Sequence, residues 1–441
     1  MYRITSRLLI YANMPEDSVL MQLSDIFRQS DEGTQPDDVL VTRIYSQIKH
    51  ILEIGTDYGF DNNLWHNYLT FVLLTQENPF SLTAEKVGAS VGTVNTFARS
   101  DYRAFMDLFH FDFNPIEKKL GINCFSLITN YQSISKKDQI YNKNVSEKVR
   151  ALSLRLGQAM DENEFFDLVT GFYKAYGVGM FGLNKAFRIS RGLDGNIRYL
   201  PINNMDTVTL DDLIGYEIQK QKLVENTEAF VNGRKANNCL LYGDSGTGKS
   251  TSIKAIVNAY YDQGLRMIEI YKHQFKDLSA VIAGIKNRNY RFIIYMDDLS
   301  FEPEEVEYKF LKAVIEGGVE TKPENVLIYA TSNRRHLIRE NWNDRNDMEY
   351  EQDLHRSDTM EEKLSLVSRF GVQISYTKPQ KKQFNTIVIA LARRAGISPE
   401  TISDEELCAK ANMWELSHGG TSGRTAQQFV DYLCGTLRLQ G

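Results

Sequence analysis

The octapeptide Gly243-Asp244-Ser245-Gly246-Thr247-Gly248-Lys249-Ser250 constrains this chain more than any other feature. It fits the spacing G-x-x-x-x-G-K-[ST]. A short apolar run, Cys239 to Tyr242, precedes it, and Thr251 to Tyr261 read as a helix. Strand, glycine-rich turn and helix in that order make a phosphate-binding loop. Glycines let the backbone wrap closely around phosphate oxygens, so successive N–H groups point inward. The helix N-terminus beginning near Thr251 adds its partial positive charge. In that setting Lys249 reaches the β- and γ-phosphates, and the Ser250 hydroxyl is a ligand for Mg²⁺.

At 441 residues the chain has room for two or three domains. Its formal net charge of −6 gives no global electrostatic case for nucleic-acid binding. Cys124, Cys239, Cys408 and Cys434 are scattered, without metal-ligand spacing. They read as buried, reduced thiols, which suits a reducing compartment. The apolar stretch Leu8 to Ala12 is short and is followed by Glu16 and Asp17, unlike a secretory signal. No run approaches the length of a membrane span. A cytoplasmic location is the expectation.

Three regions are expected: a mostly helical domain over 1–195, an α/β core over 196–378, and a helical segment over 379–441. In the first, Val39 to Leu52, Leu64 to Val72, Phe97 to Phe109, Lys148 to Met160 and Glu162 to Tyr176 carry helical spacing. Asn78-Pro79 marks a turn into a further helix. Gly177-Val178-Gly179-Met180-Phe181-Gly182 matches the dinucleotide pattern G-x-G-x-x-G. That reading needs a preceding strand, and a helix-like stretch stands there instead, so a turn before the amphipathic segment Leu183 to Ile189 is expected. In the core, Cys239–Tyr242, Met267–Ile270, Phe292–Met296, Val326–Ala330 and Val372–Tyr376 are strand candidates. Helical stretches between them imply a parallel sheet covered on both faces. Phe384 to Ala395, Asp404 to Glu415 and Thr425 to Leu437 read as helices. Residues 343–362 read as a long polar loop.

Further segments carry chemistry. Phe292 to Met296 ends in Asp297 and Asp298. Such a strand is expected beside the phosphate-loop strand, with Asp297 holding the metal and Asp298 polarising an attacking water. Val326 to Ala330 delivers Thr331, Ser332 and Asn333 to the edge where α/β sheets bind ligands. Asn333 is suited to the γ-phosphate or the attacking water; Ser332 or Asn333 would equally cap a helix over 334–340. Arg369 precedes the last strand, where a guanidinium can serve the phosphates of a neighbouring subunit. Arg424 follows Gly419-Gly420-Thr421-Ser422-Gly423 at a helix start, a position that disfavours a cation unless it faces an anion.

In this order the motifs resemble the AAA+ ATPases: P-loop, metal strand, sensor 1, arginine finger and a helical lid with sensor 2. Leu213-Ile214-Gly215-Tyr216-Glu217 is similar to the region, including Gly215, that packs on adenine in that family. Asp297 to Glu302, Pro323 to Val326, Ala330 to Leu337 and Glu361 to Leu366 look like a bacterial family of predicted AAA+ ATPases designated a domain of unknown function. The resemblance covers about residues 205 to 440 and extends more loosely to Gly182 to Arg188. It implies ATP and Mg²⁺ as ligands, with Asn333 as sensor 1, Arg369 as the finger and Arg424 as sensor 2. A finger supplied in trans implies a homo-oligomer. The N-terminal domain would then engage a protein or nucleic-acid partner.

Where the AAA+ pattern has Glu after the metal-binding Asp, this chain has Asp298, one methylene shorter. A misplacement on the order of 1 Å can cost about a hundredfold in rate. ATP binding therefore follows more firmly than fast hydrolysis. The expectation is an ATPase that remodels or switches a partner; the alternative is an ATP-gated scaffold with little turnover. Tyr271 to Phe275 does not offer an aromatic-hydrophobic-glycine threading loop. The core-plus-lid layout argues against a small-molecule kinase. Asn333-Arg334-Arg335-His336 does not fit the guanine-reading N-K-x-D.

Overall fold

The structure is a computed structural model. It describes residues 1–12, 14–89, 92–133, 143–192, 194–203, 205–302, 305–316, 323–334, 337 and 366–437. The expected loop over 343–362, together with Arg335, His336 and Glu361 to Ser365, lies outside them. Two compact units emerge: Met1–Asn184 with Pro201–Met205, and Lys185–Leu200 with Asp206–Gly441.

The first unit is helical among its described residues. Its main helices are Val19–Glu32, Asp37–Tyr58, Leu64–Thr75, Thr93–Phe109, Lys143–Gln158 and Glu162–Tyr176. Side chains of Ser18, Asn63 and Asp161 cap three of them by accepting backbone N–H bonds. Asn78 and Ser81 form a reciprocal capping box at the start of Pro79–Val87. The aromatic stripes are core: Trp65, Tyr102, Phe105 and Phe125 are buried. The fully buried Asp101 carboxylate accepts the N–H groups of Leu9, Ile10 and Tyr11 at 2.8–3.1 Å. The glycine-rich segment near residue 180 packs closely: a Cβ on Gly179 would lie 2.1 Å from Glu77 Oε1.

The second unit holds a seven-stranded sheet. The strands are β1 (Ala186–Arg191), β2 (Ile197–Pro201), β3 (Cys239–Gly243), β4 (Leu265–Glu269), β5 (Arg291–Met296), β6 (Val326–Ser332) and β7 (Val372–Tyr376). Their order across the sheet is β2-β1-β4-β5-β6-β3-β7. From β1 to β7 every neighbouring pair is parallel. Buried Val, Ile, Leu and Tyr fill β5 and β6, as burial on both faces requires. Two expectations are corrected. The segment Leu183 to Ile189 runs largely into strand β1, whose pairing with β4 places the start of this unit ahead of residue 196. Strand β5, which carries Asp297, does not adjoin β3; β6 lies between them.

Helices Lys381–Arg394, Asp404–Ser417 and Gly423–Leu437 close the chain as a lid. Phe384, Val388, Leu407, Ala411, Phe429 and Val430 form their own core. All four cysteines are free. Cys124 and Cys239 are buried, whereas Cys408 and Cys434 are only half-buried. Burial pushes the Cys124 thiol up to about 11. No described helix is long and apolar enough to cross a membrane.

Gly243 sits where β3 meets β7, at φ +130°. A Cβ there would lie 2.0 Å from the Tyr376 carbonyl oxygen. Gly243→Ala combines an unfavourable φ with a backbone clash, so it is expected to lower the unfolding free energy by about 2 kcal/mol or more. Chemical denaturation checks this.

Candidate functional site

β3 ends at Gly243 and the chain turns at once into the helix Lys249–Tyr260. The turn is fixed from within: the Asp244 N–H donates to Tyr376 O at 2.9 Å, and Thr247 Oγ1 donates to Asp244 O at 2.8 Å. The Asp244 carboxylate points the other way and accepts the Lys378 N–H at 2.7 Å. Asp244 is thus a strut between the loop and the end of β7. Gly248 caps the helix at φ +91°, a left-handed conformation that glycine adopts without penalty.

Lys249 is buried, and its Nζ donates to Gly243 O at 2.9 Å, Asp244 O at 2.6 Å and Asn333 Oδ1 at 3.0 Å. Burial draws its pKa below the ordinary lysine value, against the pull of Asp298, Asp244 and Asp297. The same Asn333 amide donates to Asp298 Oδ1 at 2.7 Å. One side chain therefore ties the loop lysine to the second carboxylate. Asp298 occupies the left-handed region at φ +48°, its N–H held by Thr331 Oγ1 at 2.9 Å.

A second hydrogen-bonded group stands beside the first. Asp297 Oδ1 accepts from Ser250 Oγ at 2.7 Å and from Thr331 Oγ1 at 2.6 Å. Burial alone would raise the Asp297 carboxyl; these hydrogen bonds outweigh it and hold the group below its ordinary value. Ser250 and Asp297 are hard oxygen donors, the chemistry that suits Mg²⁺. Among the described residues no cluster of three or more His, Cys, Asp or Glu side chains could form an all-protein cage. A few protein oxygens completed by ligand phosphates and water are what Mg²⁺ commonly takes.

These groups share a cavity of about 860 Å³. Residues Ser245 to Thr251 line it with Asp297, Asp298, Thr331 and Asn333. Leu213, Ile214 and Tyr216 form one apolar wall, and Ile387 and Leu391 of the lid form another. Lid residues Gly423, Arg424 and Gln427 close the phosphate-loop end. The Arg424 N–H donates to Gly246 O at 3.2 Å, so the lid touches the loop.

Most candidate residues from the sequence thus converge. Gly243 and Asp244 stand at the root of the loop rather than in the cavity lining, and Gly215 lies between the two lining residues Ile214 and Tyr216. Arg369 is outside the lining, on the turn before β7. Ser332 is buried and donates to Leu299 O, while its Oγ also accepts the Arg334 N–H. Residue-by-residue reading missed Thr331 as the hinge between the two acids, and Ile387, Leu391 and Arg394 as pocket walls. The last three recur at i, i+4 and i+7, a helical face whose partner only tertiary packing reveals.

The model of the family described as "Protein of unknown function (DUF815)" matches residues 183–437. No curated protein matches the sequence. Among solved structures, the RuvB Holliday junction branch migration motor of Thermotoga maritima is 15% identical with a TM-score of 0.30, covering 53% of this chain and 73% of that chain. A single-residue variant of that motor is 16% identical with a TM-score of 0.32 over the same shares.

The Asp297 carboxyl yields a signed prediction. A folded pKa below the unfolded one contributes stability above the ordinary carboxylate range, and that contribution is lost as pH falls through the depressed value. Unfolding titrations of the ligand-free protein are expected to show Asp297→Asn less stable than wild type at pH 7. The gap should narrow below about pH 4.

Proposed function

The chain belongs to the DUF815 family, and on that premise we propose that it has an AAA+ P-loop fold, binds ATP with Mg²⁺ and hydrolyses it to remodel or switch a partner. The observation that carries this reading is the convergence of the phosphate loop, Asp297, Asp298, Asn333 and lid residue Arg424 on one cavity. Lys249 and Arg424 supply positive charge for the phosphates, and the loop N–H groups supply donors. Ser250 and Asp297 would hold Mg²⁺, which would polarise the phosphoryl oxygens when bound. The apolar walls from Leu213, Ile214, Ile387 and Leu391 suit a flat purine base.

Asp298 is proposed to orient water, a reading supported by its place in the cavity lining and by the Asn333 amide that holds its carboxylate. Its short side chain and that restraint favour slow turnover. The same observation supports a second reading, a scaffold gated by ATP with little hydrolysis. Arg369 is proposed to serve the nucleotide of a neighbouring copy, which implies a homo-oligomer. The N-terminal helical unit is proposed to engage the partner. Free, scattered thiols suit a cytoplasmic setting.

Lys249→Ala is expected to weaken ATP binding by about ten- to a hundredfold, the scale of charge-assisted hydrogen bonds, as read by calorimetry. Asp298→Asn is expected to keep ATP affinity while phosphate release slows by about a hundredfold or more. Unchanged binding in the lysine variant would remove the nucleotide reading. Absence of phosphate release from wild type, alone and with its partner, would decide for the scaffold.

A further inference from the structure

The segment 206–212 crosses one end of the cavity and is fastened at both ends. On the core side, Asn258 Nδ2, from the helix that follows the phosphate loop, donates to Asp206 O at 2.7 Å and to Val208 O at 2.9 Å. Lys254, one turn earlier, faces the Asp206 carboxylate at 3.6 Å. On the lid side, Arg394 Nη1 donates to Asp212 Oδ1 at 3.0 Å and Nη2 to Asp211 O at 2.6 Å. Asp212 is itself pre-set, because Oδ2 accepts from Thr209 N at 2.7 Å and from Thr209 Oγ1 at 2.8 Å. Arg394 lies on the same helical face as Ile387 and Leu391, and both Asp212 and Arg394 line the cavity.

We propose that Arg394 and Asp212 form a latch that ties the lid to this strap and sets how fast a bound nucleotide leaves. This rests on the nucleotide reading above. The geometry makes the coupling specific. The strap cannot follow an outward-moving lid while Asn258 holds its two carbonyls. Lid opening at this end therefore requires the Arg394 bonds to part. Two bonds from one guanidinium to a fixed carboxylate and a neighbouring carbonyl give the latch a defined geometry. Because both side chains are about half exposed, the effect is modest and kinetic rather than a large gain in affinity.

Stopped-flow displacement of N-methylanthraniloyl-ADP from the full chain tests this. Arg394→Gln and Asp212→Asn are each expected to speed release by roughly two- to five-fold, the scale of an exposed ion pair. The double variant should release no faster than either single one, and the charge swap Arg394→Asp with Asp212→Arg should restore part of the loss. Additive single effects, unchanged release rates or no rescue by the swap would each overturn the latch while leaving nucleotide binding in place. Failure of wild type to bind the probe would bring down the site reading and the latch with it.

Discussion

Parallel register is the constraint on which the site depends. Tyr242 of β3 is level with Ser332 of β6, and Met296 of β5 is level with Ala330. Gly243, Asn333 and Asp297, the residues that follow these, therefore lie at the same C-terminal edge of the sheet. Thr331 is level with Asp297 across the β5–β6 pair, and their side chains meet at 2.6 Å. A slip of one residue would turn the side chains of one strand to the opposite face and take Thr331 away from Asp297. The packing of the fully buried β5 and β6 side chains opposes that slip. Core packing and site geometry are one requirement.

Within that frame the two adjacent carboxylates have different surroundings. Asp297 is bound by two hydroxyls and held in its ionised form. Asp298 is turned aside by a left-handed backbone and held by a single amide. Asn333 is the pivot between them and Lys249, because its oxygen faces the ammonium while its nitrogen faces Asp298. Strand β6, inserted between β3 and β5, is what makes this bridge possible.

The cavity is built by two bodies of side chains with separate cores. The sheet supplies the charged floor, and the lid supplies Ile387, Leu391, Arg394 and Arg424. The lid helices pack on their own apolar cluster. Their attachment across the cavity combines Ile214 packed on that cluster with polar contacts, at Gly246 on one side and at Asp211 and Asp212 on the other. The polar contacts exchange readily with water, unlike an apolar core, which suits the lid motion proposed above.

The five strands from Cys239 to Tyr376, the lid helices and the phosphate loop were legible in the sequence because each rests on local rules. Glycine spacing, apolar runs of strand length and helical periodicity all act within a few residues. Strand β1 fell inside the expected helical region because Ala186 to Arg191 mixes three apolar with three polar side chains, a pattern too short to set the element, and only pairing with β4 decides. The position of β6, the hinge role of Thr331, the outward turn of Asp244 and the strap joined by Arg394 and Asp212 were not legible. Each depends on residues tens to hundreds of positions apart meeting in space. The sequence alone determined which local elements and which polar side chains the chain carries, because backbone conformation and side-chain type are local properties. Only the tertiary structure decided which of those groups touch, because strand order and register are set by packing the whole core at once.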